Sequence, residues 1–317
     1  MAFGRNAAAQ PGAITLTQTE LEILKPRATI VIRAFNESRH LPEVLRRIYA
    51  QREKNVEVIL VDSGSTDGTR EIAEHAGARV LHIAKDDFTF GRSLNIGCRA
   101  ASGQFLVFVS GHCYPVGAKW LDELMTPFAN PEIGLSYGRQ RGGPRTKFSE
   151  HRHFKKTFRD RDAIPQNGFF CNNANCAIRR SLWERHHFDE TLTGLEDLGW
   201  AKWLDSIGGK VAYAARAGVY HLHDETWPQV FRRYEREAIA LKNITPDLHF
   251  SFADFLRLFA YSTWLDMCAA IRNGLLVSSI ASIFAFRFMQ YWGTYRGSNY
   301  RRAVTHSLKE KFYYPHK

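Results

Sequence analysis

Asp62 stands where an apolar run, Val56-Glu57-Val58-Ile59-Leu60-Val61, gives way to the small-residue turn Ser63-Gly64-Ser65-Thr66-Asp67-Gly68. A carboxylate at the carboxyl end of a buried strand sits where open α/β sheets bind ligands. It can accept hydrogen bonds from ribose hydroxyls or a pyrimidine N–H, and Gly64 lets a ring approach the backbone. Ser65 or Thr66 can N-cap a helix that starts at Thr69. The same residues also fit a plain capped turn between strand and helix, and on this segment alone the two readings are equal.

The elements that would position Asp62 follow a repeating pattern. Ala28 to Arg33 reads as a strand, His40 to Tyr49 as a helix with Pro42 in its first turn, and Val80 to Ile83 as a third strand. Ser93 to Ala101 reads as a helix and Gln104 to Val109 as a fourth strand. Repeated βαβ units predict an α/β fold with a mostly parallel sheet. Beyond Tyr137 come a Gly/Arg/Lys-rich loop, an Asn/Cys segment from Cys171 to Arg180 and a helix over 198–207.

At 317 residues the chain has room for one large core and an appendage. Its five cysteines include no C-x-x-C pair and read as reduced thiols of a cytosolic protein. Met1 to Thr19 has no apolar core of signal-peptide length, so residues 1–26 read as a flexible leader. The net charge of +11 is concentrated: nine Lys/Arg against two acids between Arg139 and Arg161, and thirteen against six from Thr226 to Lys317. Such surfaces attract phosphate-bearing substrates, anionic headgroups or nucleic acid. After Asp247, Phe252, Phe255, Leu256, Phe259 and Trp264 fall near helical spacing, and twelve residues, Leu275 to Phe286, precede Arg287. Twelve are too few to span a bilayer, which needs about 20. A core-covering hairpin or a surface anchor fits, and the basic excess of the segment favours the anchor.

Taken in order, these residues resemble family 2 glycosyltransferases of the GT-A fold, and within them bacterial rhamnosyltransferase-type members. The resemblance rests on Arg33-Ala34-Phe35-Asn36-Glu37, Asp62 to Thr69, Phe90-Gly91-Arg92-Ser93-Leu94-Asn95, Tyr137-Gly138-Arg139-Gln140, Asn172 to Arg180, Glu196-Asp197-Leu198-Gly199-Trp200 and Tyr220-His221-Leu222-His223. It implies a GT-A domain over residues 27–245, which leaves 246–317 as a C-terminal amphipathic helical region whose composition suits the membrane surface. It further implies that Phe35, Glu37 and Asp62 contact the nucleoside of an activated sugar, with Arg33, Ser63, Asp67 and Ser110 in the same donor site. Arg92 and Asn95 would shape that pocket. Asp197, beside Glu196, would be the base that takes the proton of an attacking acceptor hydroxyl. Without the other motifs, the acidic pair reads as helix-start acids opposing the macrodipole. Asn172 and Asn173 would face the acceptor, or else only form a turn; Trp200 would stack on a sugar there or belong to the core; and Arg232 and Arg233, after Gln229, would meet the diphosphate.

One position departs from the family. Where it places a metal-binding Asp at the end of the fourth strand, this chain has Val109-Ser110-Gly111-His112-Cys113-Tyr114-Pro115, so His112 takes the place of the carboxylate. An imidazole disfavours Mg²⁺ and suits Mn²⁺ or another transition ion, with help from His221 and His223, which alternate onto one face of a strand. Three readings stay open: a metal ligand, a direct diphosphate contact in a metal-independent enzyme, or a structural histidine. Cys113 has no accompanying base and reads as a packed thiol.

The expected activity is inverting transfer of a hexosyl or deoxyhexosyl group from a nucleotide donor to a saccharide or lipid-linked acceptor, at the inner face of the plasma membrane. The alternative is a catalytically degenerate nucleotide-sugar binding protein. A dinucleotide-dependent dehydrogenase fails because no G-x-G-x-x-G follows the first strand. Nucleic-acid binding has only charge in its favour.

Overall fold

The computed structural model describes residues 25–314, so the expected leader lies outside the described residues apart from its last two. One mixed sheet holds β1 (Ala28–Ala34), β2 (Val56–Asp62), β3 (Arg79–His82), β4 (Phe105–Ser110), β5 (Cys113–Pro115), β6 (Ile133–Gly142), β7 (Asn175–Arg179) and β8 (Lys210–His221). Its order is β3-β2-β1-β4-β7-β6-β8-β5. The helices are α1 (Leu41–Tyr49), α2 (Thr69–His75), α3 (Phe90–Ala100), α4 (Trp120–Met125), α5 (Phe148–Thr157), α6 (Arg180–Trp183), α7 (Glu196–Ser206), α8 (Trp227–Ile244), α9 (Phe252–Arg272), α10 (Leu276–Ser298) and α11 (His306–Tyr313).

Strands β3, β2, β1 and β4 are parallel, as the βαβ pattern predicts. The chain builds outward from β1 to β3 and then returns to place β4 on the other side of β1. That reversal opens a crevice beyond the carboxyl ends of β1 and β4, the place where such sheets bind ligands. Alternation along β1 sends Ile30 and Ile32 to the face under α1, with Leu45 and Leu60, and Val31 to the face under α3, with Val61 and Leu94. Each such fully buried side chain contributes about 1.5–3 kcal/mol of transfer free energy.

The second half of the sheet departs from the simple repeat. β7 runs antiparallel to both β4 and β6, β8 runs parallel to β6, and the short β5 pairs antiparallel with β8. Cys113 is thereby in register with His221, which carries the end of β4 to the end of β8.

Element starts differ from the sequence reading where capping decides them. α2 begins after Gly68, which takes φ 89. Asp67, rather than Ser65 or Thr66, holds that turn by accepting from the Thr69 amide (3.1 Å) and the Thr69 hydroxyl (2.5 Å). Ser65 Oγ instead accepts from the Asn36 amide at 2.8 Å, tying the β1 turn to the β2 turn. α3 begins one turn early, at Phe90, because Thr89 caps it by accepting from the Arg92 amide.

α9 and α10 form the expected hairpin, joined at Gly274. It is fastened to α5 by Asp266, which bridges Arg152 of α5 (2.6 Å) and Arg287 of α10 (2.8 Å). Along its two helices large apolar side chains stand in solvent, with Trp264 59% and Val277 93% exposed. Among the described residues no helix is long and apolar enough to cross a membrane. All five thiols are free; four are buried and Cys268, on α9, is half-buried.

Gly91 opens α3 against residues 189–190, where an added Cβ would sit 2.3 Å from the Asp189 carbonyl oxygen. Backbone on both sides leaves no flexible group to yield. Gly91→Ala is therefore expected to lower unfolding stability by about 1–3 kcal/mol, measured as a shift in denaturant midpoint at unchanged slope.

Candidate active site

Glu196 and Asp197 open α7, and both are buried. Leu195, just before them, takes φ 55, a conformation costly for a branched side chain. Asn36, after β1, takes φ 53, the other non-glycine positive φ among the described residues, and its Oδ1 accepts from the Thr66 amide. Arg33, near the end of β1, donates to Glu196 Oε1 at 2.9 Å and pairs with it as an ion pair. Asp197 has no such cation. Its Oδ2 accepts from the Asn173 amide at 2.7 Å and its Oδ1 from the Leu198 amide at 2.8 Å. Burial, then the neighbouring Glu196 charge, raise its pKa to about 7 against the pull of these amides and of Arg33. A carboxyl that exchanges its proton near neutrality suits general-base chemistry. Beside it, Asn173 Oδ1 is buried with no hydrogen-bond partner among the described residues.

Three imidazoles meet at the other end of the crevice. His112 Nε2 lies 3.2 Å from His221 Nε2, which lies 2.8 Å from His223 Nε2. Each Nδ1 is held from behind: His112 by Glu37 Oε1, His221 by Gln140 Oε1 and His223 by Glu150 Oε1, all at 2.7 Å. Carboxylate and amide oxygens can only accept, so each Nδ1 carries hydrogen and each neutral ring turns an Nε2 lone pair inward. Burial, followed by the charges of His223, His112 and Arg233, pushes the His221 pKa well down, which keeps that ring neutral. Three Nε2 atoms this close together can share a proton or a cation. Imidazoles oriented by outer carboxylates are the usual way proteins hold transition metals. The donor set therefore fits a transition ion better than Mg²⁺. Glu150, with His223 and Glu225, makes a second, overlapping group; burial would raise its pKa, but His223 and Arg233 outweigh that and bring it to about 2.

On the β2 side the Asp62 carboxylate is fully buried and accepts from the Gly64 amide at 3.0 Å and from the Ser65 amide at 3.1 Å. Phe35, after β1, lies beside it. Tyr314, which follows α11, returns from the far end of the chain to this place. Its ring packs edge-on against Phe35 at 4.6 Å, and its hydroxyl donates to the Ser63 carbonyl at 3.4 Å. Lys85 Nζ lies 5.0 Å from the Phe35 ring centre and 5.7 Å from that of Tyr314.

Residues 29–186 match the model of glycosyl transferase family 2. The chain is 26% identical over 221 residues to the O-antigen chain rhamnosyltransferase WbaN of Salmonella anatum, covering 66% of this chain and 70% of that one. It is likewise 26% identical over 220 residues to the O-antigen chain rhamnosyltransferase RfbN of Salmonella typhimurium, at the same coverage. The chain carries a family 2 domain and is a glycosyltransferase. The mannosyltransferase of Pyrobaculum calidifontis, solved with GDP-Man and Mn²⁺, superposes with a TM-score of 0.57 at 18% identity, over 92% of this chain and 88% of that one. Glucosyl-3-phosphoglycerate synthase of Mycobacterium tuberculosis, solved with Mn²⁺ and UDP-glucose, gives 0.53 at 22%, over 74% and 84%. At these identities the likeness establishes the GT-A fold.

Several residues expected to touch substrate have other tasks in this glycosyltransferase. Asn95 is buried with its amide saturated: Oδ1 accepts from Trp183 Nε1 and the Phe188 amide, and Nδ2 donates to the Phe188 carbonyl and Glu190. It ties α3 to the segment before the acid pair and does not line the pocket. Trp200 is core, its Nε1 donating to the His186 carbonyl, so it cannot meet an acceptor. Arg233 is consumed by Glu225 and Glu150 and is withheld from a diphosphate. Glu37 holds the His112 ring, and Asp67 holds the α2 turn and the Ser38 amide. Asn172 braces the acceptor loop by accepting from Gln140 and from the Ala174 amide. Arg92 lies at the rim, paired with Asp87 at 3.3 Å, while Ser110 and Arg232 are half-buried. Sequence reasoning gave Gln140 no task beyond its motif and assigned none to Glu150, Lys85 and Tyr314. The first two were legible only as partners of the histidines, and nothing local marked the others.

His221→Ala should remove the ability of the purified protein to retain a transition ion, read by elemental analysis after dialysis against Mn²⁺ or Zn²⁺. Equal retention by the variant would reject the three-histidine site.

Proposed function

We propose that this glycosyltransferase catalyses inverting transfer. A hexosyl or deoxyhexosyl unit passes from a nucleoside-diphosphate sugar to a hydroxyl of a saccharide or lipid-linked acceptor in surface polysaccharide synthesis, with Asp197 as general base. The observation that carries this reading is the buried Asp197 carboxyl, raised to about 7 and fixed by two amides beside the unpartnered Asn173 oxygen. Asn173 Oδ1 is available to accept from an acceptor sugar hydroxyl and aim a second hydroxyl at Asp197. As that hydroxyl loses its proton to Asp197, its oxygen bonds the anomeric carbon and the bond from that carbon to the diphosphate oxygen breaks. Attack from the face opposite the leaving group inverts the anomeric centre.

Arg33 pairs with Glu196 and leaves Asp197, held by amides alone, as the carboxyl that takes the proton. His112, His221 and His223 would hold a divalent transition ion, Mn²⁺ rather than Mg²⁺, whose charge would stabilise the departing diphosphate. The printed names of both Salmonella relatives favour rhamnose as the sugar. The nucleoside half of the donor would lie over Phe35, Asp62 and Ser63.

In this reading residues 27–245 carry the chemistry, and within 246–317 the α9–α10 hairpin attaches the protein to the inner face of the plasma membrane. The exposed aromatic face of α9 and α10 supports that division. Where the hairpin meets α5, Arg152, Lys155, Lys156 and Arg287 line a cleft of about 270 Å³ whose one acid, Asp266, is already shared by the two arginines. That charge suits the phosphate of a lipid-linked acceptor.

Asp197→Asn should keep nucleotide binding and lower transfer by about 10²–10⁴-fold; undiminished sugar release would reject the base assignment. In the parent enzyme kcat should fall as pH drops below about 7, because the protonated carboxyl cannot accept a proton. A profile flat from pH 8 to about 5 would contradict this. Replacing Trp264 and Val277 together by Glu should abolish sedimentation with anionic vesicles, and retained binding would reject the hairpin as the anchor.

A further inference from the structure

We propose that the C-terminal segment is a resident occupant of the nucleoside half of the donor site, so that donor binding requires α11 and Tyr314 to withdraw. This rests on the reading of Phe35, Asp62 and Ser63 as the nucleoside seat. A base entering there must stack on an aromatic ring and hydrogen-bond the turn after β2. The Tyr314 phenol already does both, against Phe35 and to the Ser63 carbonyl, under the Lys85 ammonium. With it in place Asp62 is 0% and Ser63 2% exposed.

The segment is held by an apolar contact. Phe312 and Tyr313 pack with Ile239 of α8 and with Phe88 and Phe90, and Val304 and Leu308 complete the cluster. Yet the seat is imperfect. Among the described residues the Tyr313 hydroxyl and Arg236 Nε are buried without hydrogen-bond partners, and the Tyr314 hydroxyl bond is long. Unpaired buried polar groups penalise the docked state, so apolar contact and polar mismatch oppose each other. A ligand that replaces the phenol and pairs with the turn can therefore displace the segment.

Displacement also reaches the acid pair. Arg236 Nη1 donates to the Phe312 carbonyl, and its guanidinium lies 4.6 Å from the Phe90 ring centre. The Phe90 carbonyl accepts from Arg33, the partner of Glu196. Release of the segment would free Arg236 and one face of Phe90 next to the chemistry.

The test compares the full chain, a chain ending at Val304 and Tyr314→Ala in the full chain. UDP, GDP and dTDP are titrated into each by calorimetry, with thermal melts to check folding. If the open form is about a tenth of the population, truncation or Tyr314→Ala should tighten binding of the preferred nucleotide by about tenfold. Amide hydrogen exchange over 306–314 in the full chain should speed up when that nucleotide is added. Equal affinity in all three chains, or slower exchange on binding, would overturn the proposal. Weaker binding by the variants would overturn it too, by making Tyr314 a wall of the pocket. Absence of nucleotide binding in every chain would instead overturn the nucleoside reading, and the guarded seat with it. Should the truncated chain fail to fold, the Tyr314→Ala titration and the exchange measurement decide.

Discussion

Two adjacent carboxylates taken out of water dominate this site. Burial of Glu196 and Asp197 carries a large desolvation penalty, and the protein compensates it unequally. Glu196 receives a guanidinium, Arg33, from the end of a central strand. Asp197 receives amide N–H groups and the start of a helix, which stabilise its charge without cancelling it. Inequality separates the roles: one carboxylate is fixed and the other exchanges a proton near neutrality. The arrangement requires β1 to end beside the start of α7, which the strand reversal between β1 and β4 allows. Leu195 accepts an unfavourable backbone conformation to turn both acids inward.

The histidine cluster solves a related electrostatic problem with opposite means. A carboxylate at the end of β4 would bring negative charge of its own, whereas an imidazole brings none. The negative charge is moved one bond outward, to Glu37 and Glu150, behind the rings. Arg233 then balances Glu150 and Glu225 from the outside, so a cationic residue that sequence order places near the diphosphate serves the outer shell instead. β5 makes this possible. Three residues long, it sets Cys113 opposite His221 and so fastens His112 against the end of β8.

The sequence was most informative where local periodicity and tertiary packing agree. β1, β2, β4 and α1 lie within a residue or two of their apolar patterns, because a parallel strand buried on both faces leaves few alternatives. The acid pair and the histidines were recognisable as residues with chemistry. Their partners were not, because Arg33 and Glu196 are separated by 163 residues and His223 and Glu150 by 73. The tasks of Asn95 and Trp200 were misread for the same reason: a polar or aromatic residue inside a family motif looks functional until its hydrogen bonds are found to be spent on the core. α11 is the extreme case. Nothing in its own residues states that they fold back onto the turn after β2.

The distribution of thiols has a practical meaning. Cys98, Cys113, Cys171 and Cys176 are sealed in the core, and Cys268 alone is half-open, on the first helix of the hairpin. Burial raises the pKa of all four sealed thiols, which further lowers their reactivity. The native chain thus carries a built-in labelling position in its most aromatic region. A polarity-sensitive fluorophore on Cys268 would turn the hairpin into its own depth gauge, reporting whether that region sits in water or in hydrocarbon with no engineered residue anywhere in the chain.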